Sequence, residues 1–201
     1  MESKFSKNIN SDSEAFYMSC PEVVAKHIAN KLSQFKTCVE LCCAVGMLSI
    51  QLAKKMKKVY AIDIDKQRIE HAKNNAKLYG VTDKINFIIG DVLDYNLLKS
   101  VSAEVAILDP DWSQEGSEKH NHVKSIEKTQ PDLRKMFTLT KKYITKNIVI
   151  RVPKTFTFKT LKDFGPCNIE NIIWNNSVKF KVVYFLEDIK KNKEVDVFFN
   201  K

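Results

Sequence analysis

Three carboxylates stand at the ends of short apolar runs, at the spacing of a nucleoside pocket. Glu40 lies at the end of Thr37 to Leu41, Asp63 follows Val59 to Ile62, and Gly90-Asp91 follows Ile85 to Ile89. A carboxylate at the first position suits the cationic amino-acid end of a cofactor. At the second it can accept both hydroxyls of a ribose in a bidentate pair. At the third it can accept the exocyclic amine of adenine while Val92 covers the ring. The turn from Cys42 to Gly46 must then let backbone N–H groups come close to a ligand, a task that favours glycine, and Gly46 is its one glycine. An ordinary strand-to-helix turn has the same appearance, and Asp65 reads as a helix N-cap. Taken together, the acids favour S-adenosylmethionine over a nicotinamide cofactor, because no GxGxxG fingerprint is present.

A fourth apolar run, Val105 to Leu108, ends in Asp109-Pro110-Asp111-Trp112. Methyl transfer to an exocyclic amine requires the nitrogen to be fixed in line with the donor sulfur. The amine is a poor nucleophile, since its lone pair is delocalised into the ring. Acceptors on its N–H groups, here Asp109 and the Pro110 carbonyl, can pull it toward sp³ geometry. Trp112 offers a stacking face, with a cation–π contribution if the base is cationic. Asp-Pro can also simply start a turn, and Trp112 can be a core aromatic.

The elements that must hold these residues alternate. Pro21-Glu22 starts a helix with Val23, Val24, His27, Ile28 and Leu32 predicted on one face. Strands are expected at Thr37 to Leu41, Val59 to Ile62, Ile85 to Ile89, Val105 to Leu108 and Ile148 to Val152. Helices are expected at Met47 to Met56, Asp65 to Tyr79 with Gly80 as C-cap, and Asp132 to Tyr143. Asn168 to Trp174 and Lys179 to Phe185, joined by Asn175-Asn176, read as an antiparallel pair. The fold class is therefore α/β: a Rossmann-like, doubly wound, mostly parallel sheet with a C-terminal antiparallel hairpin, and ligands at the carboxyl ends of its parallel strands. Residues 1–20 read as a polar N-terminal arm ordered by substrate, 21–189 as the methyltransferase domain, and 190–201 as a basic, solvated tail.

At 201 residues and 44% hydrophobic content, one core is expected. The 33 lysines and arginines exceed the 24 acids, a formal charge of +9 that suits a polyanionic partner or a merely solvated lysine-rich surface. Five cysteines without a CxxC pair read as reduced, with no metal. No apolar run is long enough for a membrane span. A monomer without membrane contact is expected, in the nucleus of a eukaryote and otherwise in the cytoplasm. His120 and His122 read as solvated.

These segments resemble the trimethylguanosine synthase family, the RNA cap guanine-N2 methyltransferases. The resemblance is carried by Ser19-Cys20-Pro21-Glu22, Ala61-Ile62-Asp63-Ile64-Asp65, Ala72-Lys73-Asn74-Asn75-Ala76, Tyr79-Gly80-Val81-Thr82-Asp83-Lys84-Ile85, Gly90-Asp91 and Pro110-x-Trp112. It implies methyl transfer from S-adenosylmethionine to N2 of a 7-methylguanosine cap on a small RNA. Trp112 would stack on the cationic base, and Lys154, Arg151, Lys4 or Lys7 would meet the triphosphate. Two segments depart from the family. Its glycine-rich loop is here Cys42-Cys43-Ala44-Val45-Gly46-Met47, and its Pro-Pro-Trp-Gly-Gly is Pro110-Asp111-Trp112-Ser113-Gln114. Loss of the second proline frees the backbone, and Asp111 can take the N1 and N2 protons of guanine. Other readings are a guanine-N2 or adenine-N6 methyltransferase of ribosomal RNA, transfer RNA or DNA, and a catalytically silent RNA-binding module.

Overall fold

The structure is a computed structural model that describes residues 4–113 and 122–199. It divides into two compact units, residues 1–105 and 106–201.

The first unit contains α1 (Ser13–Met18), α2 (Glu22–Lys31), β1 (Thr37–Leu41), α3 (Met47–Ala53), β2 (Lys58–Asp63), α4 (Lys66–Tyr79), β3 (Ile85–Ile89) and α5 (Tyr95–Lys99). Its strands run parallel in the order β3-β2-β1, with Leu41 opposite Ile62 and Asp63 opposite Ile89. That register brings the carboxyl ends of β1 and β2 level. Parallel strands covered by helices read as continuous apolar runs, and Val39, Leu41, Val59, Ala61 and Ile62 are all fully buried. Asp65 caps α4 by accepting the N–H groups of Gln67 at 2.7 Å and Arg68 at 3.1 Å. Gly80, at φ 71°, ends the same helix in the left-handed region.

Two expectations for this unit change. The arm is packed rather than loose: Phe5 is buried, Lys4 donates to the Phe16 and Tyr17 carbonyls at the end of α1, and Lys7 donates to Leu78 O at 2.7 Å. Both lysines thus satisfy helix-end carbonyls instead of offering open phosphate contacts. On α2, Val23 is 42% exposed whereas Glu22 is buried, so the inward face is Glu22, Val24, Ala25, Ile28 and Ala29.

Glu22 tolerates burial because four donors reach it. Lys26 lies at 2.7 Å, the Ser6 amide and hydroxyl at 2.7 Å each, and the Tyr79 hydroxyl at 2.9 Å. Burial raises its pKa, but these donors, Lys26 foremost, outweigh burial and hold the carboxyl at about 2 against an ordinary 4.5. A depressed folded pKa stabilises the fold above the unfolded value, and that contribution fades as pH falls from 4.5 through about 2. Thermal denaturation should therefore show the midpoint falling across this window, and Glu22→Gln should flatten that fall.

The boundary falls at the start of β4 (Val105–Leu108), and the second unit continues with α6 (Leu133–Tyr143), β5 (Ile148–Pro153), α7 (Phe158–Leu161), β6 (Asn168–Trp174), β7 (Ser177–Phe185) and β8 (Lys193–Phe199). The order is β4-β5-β7-β6-β8; β5 is parallel to β4, and β7 is antiparallel to both β5 and β6. The expected hairpin is present, turned by Asn175 and Asn176 at φ 51° and 56°, the two left-handed residues of a type I′ turn. Part of the segment expected to be a solvated tail is a strand. Residues 193–199 pair with β6 as β8, in parallel, and Val195, Val197 and Phe199 alternate with the more exposed Glu194, Asp196 and Phe198. That alternation of period two is weak because lysines surround it. Parallel α/β layers in the first unit and antiparallel strands at the C-terminal end make the expected Rossmann-like α/β fold. Among the described residues, no helix is long and apolar enough to cross a membrane.

Candidate active site

The loop after β1 bends sharply through left-handed backbone despite its scarcity of glycine. Cys42, Ala44 and Gly46 all lie in the left-handed region, at φ 68°, 46° and 76°. The loop's own N–H groups are mostly spent internally: Cys42 and Cys43 donate to Ile62 O at 2.9 and 3.0 Å, Gly46 donates to Cys43 O at 2.8 Å, and Ala44 donates to Asp63. The left-handed residues therefore shape the loop rather than present a row of open donors. Only Gly46 could not be otherwise: a Cβ there would meet Ala72 Cβ at 2.9 Å, where α3 and α4 pack closely. Ala44 holds the same backbone sign at a cost of about 1–2 kcal/mol for an L-residue. Ala44→Gly should consequently raise stability by about 0.5–1 kcal/mol, net of the entropy that glycine gains in the unfolded chain. A calorimetric midpoint a few degrees higher, with cofactor affinity kept or improved, checks this.

Asp63 pins that loop. It is buried at the end of β2, where Oδ2 accepts the Ala44 N–H at 2.7 Å and Oδ1 accepts the Asp65 N–H at 3.0 Å. A carboxylate has about four lone-pair sites, so these bonds are compatible with accepting ribose hydroxyls as well. Glu40 is buried at the end of β1 and accepts the Ser49 hydroxyl from α3. Asp91 is exposed beyond β3 and turns its chain by accepting the Leu93 N–H at 2.8 Å; Val92 beside it is buried. The preceding Gly90 donates its N–H to Asp63 O at 3.0 Å. The three strand-end acids thus occupy one end of one parallel sheet.

Sequence reasoning missed Asn75. It is fully buried on α4, accepts the Asn10 N–H at 2.7 Å, and donates to Asn10 O at 2.9 Å and Val45 O at 3.0 Å. One amide thus fastens the arm to the cofactor loop. Its signal is an asparagine on the same helix face as Ile69, Ala72 and Ala76. Cys43 is no nucleophile: burial, then Glu40 and Asp63, push its thiol well above the usual range.

The acceptor residues sit in the second unit. Asp109, just past β4, pairs with Arg151 of β5 at 2.5 Å, and both side chains are largely buried. The guanidinium carbon of Arg151 also lies 5.2 Å from the Trp112 ring centroid and 4.7 Å from that of Phe180 on β7. Arg151 is therefore an internal prop rather than an open phosphate contact. An arginine inside Ile148-Val149-Ile150-Arg151-Val152 is the signal for it, since a buried charge demands a partner. Pro110 is buried, and Trp112 is half-buried with His122 edge-on at 6.3 Å.

Asp111 corrects another expectation. The missing second proline does not leave the chain free, because the Asp111 N–H and C=O exchange two 2.8 Å bonds with Gln130. A proline at this position could not donate. Its carboxylate turns back to accept the Ser113 N–H at 2.7 Å, and Trp112 O accepts the Val123 N–H at 3.0 Å. Lys154 is exposed. Gln114 and His120 lie outside the described residues. Among the described residues, no group of histidine, cysteine and acid side chains could hold a metal ion.

A tight loop of left-handed residues after β1, a buried acid on each of two strand ends and an Asp-Pro-x-Trp turn after the fourth strand are the parts of a class I S-adenosylmethionine-dependent methyltransferase. Sequence comparison agrees: residues 35–201 match the RNA cap guanine-N2 methyltransferase family, to which the chain belongs. It is 32% identical over 105 residues to an uncharacterized RNA methyltransferase of Halalkalibacterium halodurans, covering 48% of this chain and 22% of that protein. It is 39% identical over 80 residues to the release factor glutamine methyltransferase of Dictyoglomus turgidum, covering 39% and 28%. The chain thus spans less than a third of these relatives' length. Among solved structures, a methyltransferase candidate from Porphyromonas gingivalis W83 superposes with TM-score 0.70 at 15% identity, covering 88% of this chain and 43% of that one. Precorrin 8w decarboxylase from Methanobacterium thermoautotrophicum does so with TM-score 0.58 at 17% identity, covering 90% and 96%. At such identities the likeness speaks for the fold.

Proposed function

We propose that the chain transfers methyl from S-adenosylmethionine to the exocyclic N2 of guanine in a 7-methylguanosine RNA cap. The observation that carries this reading is the cluster of Asp109, Arg151 and Trp112, which joins a carboxylate acceptor to a stacking ring through one buried guanidinium. The cofactor supplies an electrophilic methyl on a sulfonium sulfur. Glu40, the Cys42 to Gly46 loop, Asp63, Asp91 and Val92 hold its amino-acid end, ribose and adenine.

Trp112 fixes the plane of the base. Asp109 and the Pro110 carbonyl accept the amine's N–H groups and so localise its lone pair, Asp111 faces the guanine edge, and Lys154 meets the phosphates. Arg151 sets the orientation of Asp109. Catalysis of this kind works by placement, without a covalent enzyme intermediate.

One observation favours a second target. The Arg151 guanidinium already lies against Trp112, and a positive charge beside the ring disfavours a cationic base relative to a neutral guanine or adenine of ribosomal or transfer RNA. The ion pair with Asp109 offsets that charge. A methyl-transfer assay comparing a 7-methylguanosine cap analogue, guanosine triphosphate and uncapped RNA separates the two readings. Methylation of the cap analogue alone is expected; methylation confined to uncapped RNA would replace the cap reading with the second.

A further inference from the structure

The helix α6 has the sequence LRKMFTLTKKY, with no acid between Leu133 and Tyr143. Arg134, Thr138, Lys141 and Lys142 fall at i, i+4, i+7 and i+8, so they share one face along about 12 Å of helix. This face borders a groove of about 390 Å³, closed on the other side by Asp163 and Phe164 and floored by Phe137. Phe137 and Phe164 stack on each other at 4.1 Å and 9° and are buried, so the floor offers no ring to an incoming base.

The charges of the groove are unevenly compensated. Arg134 pairs with Glu127 at 2.8 Å and Asp163 at 3.1 Å. Lys141 and Lys142 make no ion pair among the described residues; their ammonium groups lie 5.9 Å from the Phe137 ring and 5.0 Å from the Tyr143 ring. An acid three or four residues away would give a lysine a local partner, and a helix with such pairs would spend its charges on itself. This one leaves two cations at one end of a groove. With no open ring on the groove floor, these cations suit phosphates, contacts that carry no sequence information.

We propose that this face of α6 is a track for the phosphodiester backbone of single-stranded RNA, contacting the body of the substrate rather than the methylated nucleotide. The proposal rests on the RNA-methyltransferase reading and adds a second contact to it. Each neutralised phosphate of a single strand contributes about −0.7 to the slope of log affinity against log salt, so two lysines contribute about 1.4.

The test uses fluorescence anisotropy with a capped oligoribonucleotide that extends well beyond the cap, beside methyl transfer to a cap dinucleotide analogue. Lys141→Glu with Lys142→Glu should weaken the oligonucleotide about tenfold at low salt and flatten its salt slope by about 1.4, leaving turnover of the analogue intact. Lys55→Glu with Lys57→Glu, an equal charge change on exposed positions of the first unit, should leave the oligonucleotide affinity unchanged. Unaltered affinity in the α6 variant, or an equal loss in the control, overturns the track and returns this face to solvent or a protein partner. If the intact protein fails to methylate the analogue while oligonucleotide binding keeps its dependence on Lys141 and Lys142, the cap reading fails and the track stands.

Discussion

Asp63→Asn, nominally the mildest substitution at that position, is expected to raise the dissociation constant for S-adenosylmethionine about a hundredfold or more in calorimetry. Both carboxylate oxygens accept backbone N–H groups, one from Ala44 in the cofactor loop and one from Asp65 at the N-cap of α4. An amide has one oxygen. Whichever way it rotates, its NH₂ faces an N–H donor, and the lost charge-assisted bond is worth about 1.5–3 kcal/mol. Loss of the ribose contact adds a similar amount, and about 3 kcal/mol corresponds to about a hundredfold in affinity. Asp63→Glu, which keeps the charge but shifts it by one methylene, should retain part of the binding. Unchanged affinity in Asp63→Asn would take Asp63 out of the cofactor site.

The second large effect concerns Arg151, which the sequence offered only as a phosphate contact. Arg151→Met removes a guanidinium that pairs with Asp109 and lies against Trp112 and Phe180. Breaking a buried pair from one side leaves an uncompensated carboxylate and costs about 3 kcal/mol, so the thermal midpoint should drop by several degrees and methyl transfer should cease. Loss of activity through general unfolding is separated by a double variant. Replacing both partners of a buried pair with apolar residues is often close to neutral, so Asp109→Leu with Arg151→Met should recover most of the lost stability. It should remain inactive. Recovered activity in that double variant would show that neither residue positions the acceptor.

How much of this was legible in the residues depends on what each element is held by. The parallel strands and α4 were readable because burial on both faces writes continuous apolar runs, and because Asp65 and Gly80 punctuate the helix. The acids at strand ends were readable for the same reason: they interrupt those runs. What escaped was set by contacts distant in sequence. The arm looked loose because its anchors, Asn10 on Asn75 and Ser6 on Glu22, join residues 65 and 16 positions apart. β8 looked like a basic tail because its pairing with β6, not its own pattern, makes it a strand.

The glycine-poor loop shows a different limit. The resembling family has glycines where this loop has larger residues, yet Ala44 takes φ 46° and Asp63 holds its N–H from the neighbouring strand. Likewise, Asp111 replaces a proline without loosening the turn, since its N–H is used by Gln130. Local propensity gave the cost of each substitution, and the tertiary partner supplied what offsets it.

The measurement that bears most directly on the account is nucleoside mass spectrometry of a 7-methylguanosine-capped RNA after incubation with the protein and S-adenosylmethionine. Added methyl on N2 of the cap guanine is expected, lost in Asp109→Ala and in Trp112→Ala. A protein that binds S-adenosylmethionine yet leaves every nucleoside of the capped RNA unmethylated would contradict it.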